Sequence, residues 1–204
     1  MEATPSQRDI VRPPAPGSGE RIVETALDQF AVHGYAATSM RDLADAVGMR
    51  AASLYNHFSS KEMLLWHICQ WTIDSLSEIQ QDTLGQEGSP SERLSAFTRS
   101  FAQFHATHSR EALTVEHNWR TLEGAHLDTL RAYRRKFYRA LVDIIEEGRA
   151  AGEFGVRDSE LTALNILDLV IGIANWYRSA NIEPEALGEH YARLALLLVE
   201  QRPQ

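Results

Sequence analysis

The 204-residue chain has a single cysteine, Cys69. An intramolecular disulfide framework and a cysteine-rich zinc site are therefore both excluded. No run of about 18 apolar residues occurs and the N-terminus is polar and proline-rich, so neither a membrane span nor a secretory signal is expected; a cytoplasmic protein is. Positive charge is in deficit. Lys and Arg number 20 against 28 Asp and Glu, a formal charge of -8, which excludes a polybasic nucleic-acid coat but leaves room for a local basic face. No stretch alternates polar and apolar residues between hairpin turns, so no sheet is assigned. Gly-x-Ser-x-Gly, P-loop, dinucleotide and His-Glu-x-x-His patterns are all missing, and no catalytic residue, cofactor or metal is expected.

Proline is absent between Pro16 and Pro90, and again between Pro90 and Pro184. Because proline costs about 3 kcal/mol inside a helix, these long intervals with helical periodicity predict an all-α protein. Residues 1–18, with Pro5, Pro13, Pro14 and Pro16 beside Gly17, read as a flexible arm. Helices are predicted over 19–33, 39–47, 50–56, 59–84, 91–107, 109–122, 125–151, 159–178 and 184–201. Ser39 with Asp42, and Ser59 with Glu62, resemble capping boxes.

The segment from Ser39 to Phe58 has helix-turn-helix grammar. Leu43, Val47 and Leu54 supply the apolar contacts, Ala44 the close crossing and Gly48 the turn. A preceding helix offers Ile22, Ala26 and Phe30 at i, i+4, i+8 to complete a three-helix head over 19–65. In such a unit the second helix of the pair enters the DNA major groove. A plain helical corner in an all-α enzyme has the same grammar, and spacing alone does not separate the two.

The residues themselves add a resemblance. Ala26, Phe30, Gly34-Tyr35, Thr38-Ser39-Met40-Arg41-Asp42-Leu43-Ala44, Val47-Gly48-Met49, Leu54-Tyr55-Asn56-His57-Phe58 and Lys61-Glu62-Met63-Leu64 make residues 19–65 similar to the tetracycline-repressor (TetR) family of regulators. The resemblance implies double-stranded operator DNA as a partner. It places the Thr38 hydroxyl, Tyr55, His57 and the Lys61 ammonium against phosphates, with Ser39, Arg50, Ala51, Ser53 and Asn56 completing the candidate DNA surface. Where the family has a hydroxyl-Lys-small run opening the reading helix, this chain has Arg50-Ala51-Ala52. Arg50 then serves either as a bidentate guanine contact, worth about 1–3 kcal/mol of discrimination, or as a phosphate contact. The lost hydroxyl cap costs that helix about 1 kcal/mol.

Residues 66–204 read as a ligand-binding and dimerisation domain. The predicted helix over 159–178 is apolar nearly all round, which calls for burial all round. A second copy of the chain is the expected cover, with Ile166, Val170, Ile173, Tyr191, Leu194 and Leu198 at the seam; a monomer with that helix central is the alternative. A polar line of Asn165, Asp168, Gly172 and Asn175 either lines a cavity or marks the seam. Arg131, Arg134, Arg135, Lys136 and Arg139 form a solvated basic face or a site for an anionic ligand group. The stretch from Ile145 through Gly148, Gly152-Glu-Phe154, Asn175-Trp176-Tyr177-Arg178 and Glu183-Pro-Glu to Leu194 is similar to the lipid- and sterol-degradation branch of the same family. This implies an acyl-CoA thioester as effector and Trp176 and Arg178 near it. Ser179-Ala180-Asn181 departs from that branch's usual Pro-x-Gly. Phe101, His105, Trp119, Arg134, Tyr138, Asp168 and Asn175 complete the candidate ligand set. The reading is a homodimeric repressor that a small effector releases from a palindromic operator. A ligand-sequestering protein or an all-α hydrolase without DNA reading stands as the alternative.

Overall fold

The computed structural model describes residues 17–200, so the arm expected over 1–18, with Arg8 and Arg12, falls almost wholly outside the described residues. Ten α-helices are seen among those residues: α1 (Ser18–His33), α2 (Met40–Val47), α3 (Ala51–His57), α4 (Lys61–Thr83), α5 (Pro90–Thr107), α6 (Ser109–Asn118), α7 (Gly124–Ala150), α8 (Ser159–Ile171), α9 (Ile173–Trp176) and α10 (Pro184–Val199). No strand occurs among them. The chain divides into two compact units at Leu64 and Leu65, within α4.

In the first unit each start and stop has a local cause. The Ser39 hydroxyl accepts from Asp42 N–H while the Asp42 carboxylate accepts from Ser39 N–H at 2.8 Å. The Ser39 hydroxyl, which donates to the Asp42 carboxylate at 2.7 Å, and then the Ser39 N–H hold that carboxyl below its usual range, and the box satisfies two donors that a helix start leaves open. Gly48 ends α2 in the left-handed region at φ 77°, which a side chain resists. Ile22, Ala26 and Phe30 of α1, Leu43, Ala44 and Val47 of α2, and Leu54 of α3 are buried together in this unit. Helix α3 begins at Arg50 without a side-chain cap, as its sequence predicts. Helix α4 is capped by Ser60, whose hydroxyl accepts from Met63 N–H at 3.0 Å, and not by Ser59. The cap sits one residue later because α4 starts at Lys61, and with Met63 in the third position it is a single bond and not a capping box.

In the second unit α5 is the hub, packing against α6, α7, α8, α9 and α10. A Ser89–Glu92 capping box that sequence reading overlooked, with Pro90 in the first turn, sets its start. Phe97, Phe101 and Phe104 are buried to 1 % exposure or less, each removing an aromatic side chain from water for roughly 2–3 kcal/mol. The helix predicted over 159–178 is interrupted. It runs as α8, breaks at Gly172, resumes as α9 and ends in a 3-10 turn, Tyr177–Ser179. It is also not covered all round. Ile166, Val170 and Ile173 are 0–1 % exposed within the chain's own core, whereas Leu161 and Leu169 are 55 % and 44 % exposed.

Candidate nucleic-acid interface and ligand cavity

Helix α3 buries one side chain, Leu54. That anchor leaves Arg50, Ala52, Ser53, Tyr55, Asn56 and His57 exposed and Ala51 half-buried. The face pointing away from α2 is therefore a short, mostly polar helical ridge. His57 Nε2 lies 2.9 Å from the Ser18 hydroxyl. Ser39 is exposed beside the ridge, although its hydroxyl is shared with Asp42.

Two residues expected on phosphates have other work. Thr38 is 3 % exposed, and its hydroxyl donates to Gly34 O at 2.9 Å; a buried, donated hydroxyl does not reach a phosphate. The Lys61 ammonium donates to the carbonyls of Tyr35, Ala36 and Thr38 at 2.7, 3.2 and 2.8 Å and sits 4.5 Å over the Tyr35 ring. All three of its donors are thus taken by the loop between α1 and α2. Partial burial pulls the Lys61 ammonium below its usual pKa. Sequence pattern shows a conspicuous lysine but not that three carbonyls converge on it.

The second unit holds a cavity of about 330 Å³, at the lower end for small-molecule sites. Helix α5 contributes Phe101 and His105, α7 contributes Leu130, Tyr133, Arg134, Arg135, Phe137 and Tyr138, and α8 contributes Leu164, Leu167 and Ile171, with further walls from α4 and α6. The Phe101 and Phe137 rings are 5.4 Å apart and Tyr133 and Phe137 5.6 Å, so the interior is aromatic. His105 Nδ1 donates to Phe101 O at 2.9 Å. Burial drives its pKa down to about 4, so the imidazole lining the cavity is neutral at physiological pH. Arg134 pairs with Glu116 at 2.9 Å.

Of the ligand residues expected from sequence, Phe101, His105, Arg134 and Tyr138 line this cavity and the others do not. Trp119 stands behind the wall, its ring 4.4 Å from the Arg120 guanidinium and 4.9 Å from that of Arg134. Asp168, Asn175, Trp176 and Arg178 are exposed. The helical face that carries Asp168 also carries Leu161 and Leu169, while Leu164, Leu167 and Ile171 form the cavity-facing side. Of the residues expected at a seam between copies, Ile166, Val170 and Ile173 belong to the core of one chain, Tyr191 and Leu194 are half-buried, and Leu198 is exposed. Tyr133, which the sequence analysis did not single out, also lines the cavity; its position one turn before Phe137 was the available signal.

Comparison with known proteins agrees with both halves. Residues 22–68 match the family "Bacterial regulatory proteins, tetR family", and residues 87–199 match "Tetracyclin repressor-like, C-terminal domain". The chain is 29% identical over 180 residues to the HTH-type transcriptional repressor KstR2 of Mycolicibacterium smegmatis, covering 87% of this chain and 88% of that one. A regulatory protein of the tetR family from Rhodococcus RHA1 superposes with TM-score 0.84 at 27% identity, over 93% of this chain and 100% of that one. AibR, solved in complex with isovaleryl coenzyme A and operator DNA, superposes with TM-score 0.77 at 25% identity, over 91% of this chain and 99% of that one. Among the described residues no helix is long and apolar enough to cross a membrane. With an exposed reading helix in one unit and an aromatic cavity in the other, and with both halves matched by family descriptions, the chain belongs to the TetR family of DNA-binding transcriptional regulators.

Proposed function

We propose that the protein is a homodimeric repressor whose α3 helices lie in successive major grooves of a palindromic operator, and that a small effector, an acyl-CoA or other lipid-derived ligand, releases it by binding in the second unit's cavity. The observation carrying this reading is the α3 ridge, in which Leu54 alone is buried and the side chains around it stay exposed. Arg50, Ser53, Tyr55, Asn56 and His57 are its contact residues, with Ser39 and Ala51 at its margin. Each copy reads one half-site, with centres about 34 Å apart or a multiple of that. The dimer is supported by apolar side chains that one chain leaves exposed, among them Leu169, Trp176, Leu197 and Leu198. Helix α4 is continuous from the first unit into the second, so it is the covalent route by which an effector changes the spacing of the reading helices. Such coupling is typically about 1–3 kcal/mol, equal in both directions. That AibR was solved with isovaleryl coenzyme A and operator DNA supports an acyl-CoA effector class here.

The test is a gel shift of the full chain on DNA upstream of its own coding region, with and without isovaleryl-CoA and longer acyl-CoA thioesters. Retardation that rises at low salt and reverses with a thioester is the expected result. Affinity indifferent to salt contradicts the docking, and thioester binding that leaves operator affinity unchanged contradicts the release mechanism.

A further inference from the structure

The cavity wall formed by α7 is graded. Leu130, Tyr133 and Phe137, at i, i+3 and i+7, form its inner stripe, and Leu130 and Phe137 are buried. Arg134 and Tyr138 come next around the helix, and Arg131 and Arg135 lie farthest out. Among these cations the partners differ. Arg134 is held by Glu116 at 2.9 Å, Arg131 by Asp128 at 3.6 Å and Arg139 by Glu160 at 3.4 Å. Arg135 lines the cavity, is exposed, and has no partner among the described residues. At the inner stripe, the Tyr133 hydroxyl is buried without a hydrogen-bond partner. Ser77, whose hydroxyl donates to Ile73 O at 2.7 Å, is close by but outside hydrogen-bonding geometry with the Tyr133 hydroxyl. A buried hydroxyl calls for an acceptor; water in the open cavity can serve, and a ligand oxygen that displaces it takes over the bond.

Resting on the effector reading above, we infer that the cavity takes a two-point amphiphile: an apolar body with an acceptor oxygen that receives the Tyr133 hydroxyl, and an anionic group at the mouth that pairs with Arg135. Arg134 and Arg135 are neighbours in sequence with different tasks. Drawing Arg134 toward a ligand would leave the half-buried Glu116 carboxylate alone, whereas pairing at Arg135 displaces only water. Apart from Glu116, no acidic residue lines the cavity, so the anion meets little opposing charge. The shared chemistry is an anion on an apolar body; its source is either the carboxylate of a free acid or the phosphates of a CoA thioester, in which the thioester carbonyl is the acceptor.

Titration calorimetry of the full chain with decanoyl-CoA, decanoate and methyl decanoate separates these sources. Arg135→Gln is expected to weaken the anionic probe that binds by about tenfold and to leave methyl decanoate unchanged, while Arg135→Lys restores most of the loss. The anionic probe that responds identifies the source. Tyr133→Phe is expected to weaken methyl decanoate and decanoyl-CoA by several-fold and to leave decanoate, whose only oxygens are the carboxylate at Arg135, unchanged. An unchanged anion affinity in Arg135→Gln overturns the inference, as does an equal loss for the uncharged ester. If a probe binds and releases the operator but ignores Arg135, the inference fails and the proposed function stands. If no probe binds, both the inference and the effector reading fail, while retardation of operator DNA by the free protein still measures DNA binding separately.

Discussion

Lys61 and His105 show how one side chain can be recruited by its surroundings. The Lys61 ammonium closes the loop between α1 and α2 through three carbonyls. Lys61→Met is expected to destabilise the protein by about 1–3 kcal/mol, the range for hydrogen bonds to a charged group, measured by denaturant unfolding. The same variant, assayed at a temperature where it is folded, is expected to keep the salt slope of operator binding, since no phosphate contact is lost. His105 is fully enclosed, and burial, opposed by its bond to Phe101 O and assisted by His108, depresses its pKa to about 4. Between pH 6.5 and 4 the unfolded chain binds a proton there and the folded chain does not, so stability falls as pH falls through this window. The loss reaches at most about 3 kcal/mol by pH 4. His105→Gln is expected to flatten that slope in unfolding curves taken across the window, whatever it does to stability at pH 7. The role of Lys61 was hidden in the sequence because its carbonyls come from a loop distant along the chain, whereas His105 packs on Phe101 and Phe104 of its own helix and only its complete burial needed the fold. The Cys69 thiol, buried and pushed up to about 12, is an inert core side chain.

At the scale of the element, helix α3 trades its own stability against its surface. Arg50 occupies the cap position without capping. Arg50→Ser is expected to stabilise the head by about 1 kcal/mol by supplying the missing acceptor. Quantitative gel shifts at several salt concentrations then decide what Arg50 does on DNA. Loss of a phosphate contact lowers the log–log salt slope by about 0.9, whereas loss of a guanine contact relaxes specificity at one base pair and leaves the slope alone. The end of α7 depends on close approach. A Cβ on Gly148 would fall 2.1 Å from the Phe154 ring, and that ring is buried. Gly148→Ala is therefore expected to cost about 1–3 kcal/mol through overpacking despite the better helix propensity of alanine, seen as a lower Tm. The Gly148-to-Phe154 spacing was legible in the sequence as a resemblance, and the packing is its physical cause. The break of the predicted long helix at Gly172 was not legible, because a glycine inside a helical pattern is compatible with either continuation or interruption.

At the scale of the whole molecule, exposed apolar residues are the basis of the proposed dimer. Leu197 is 62 % exposed and Leu198 41 % on α10, with Leu169 on α8, a cost that a monomer would bear in water and a dimer would not. Leu197→Glu is expected to shift the protein toward monomer in sedimentation equilibrium and to weaken operator binding together with it, since two half-sites are then read by separate chains. Retention of a dimer by this variant would place the seam elsewhere. Reading residues 159–178 as apolar all round called for cover by a second copy and placed Ile166, Val170 and Ile173 at the seam. Ile166, Val170 and Ile173 face the chain's own α5 core, and it is their neighbours on the opposite face that remain open.

Local chemistry determined the all-α class, the cap at Ser39, the turn at Gly48 and the one-sided burial of α3, because each depends on residues within a turn or two of one another. Which cations are already paired, which hydroxyl lacks an acceptor and which face of α8 meets water depend on helices distant in sequence. Those were decided only when α5 drew α7, α8 and α10 around its buried phenylalanines, since pairing and burial are properties of neighbours that periodicity alone does not name.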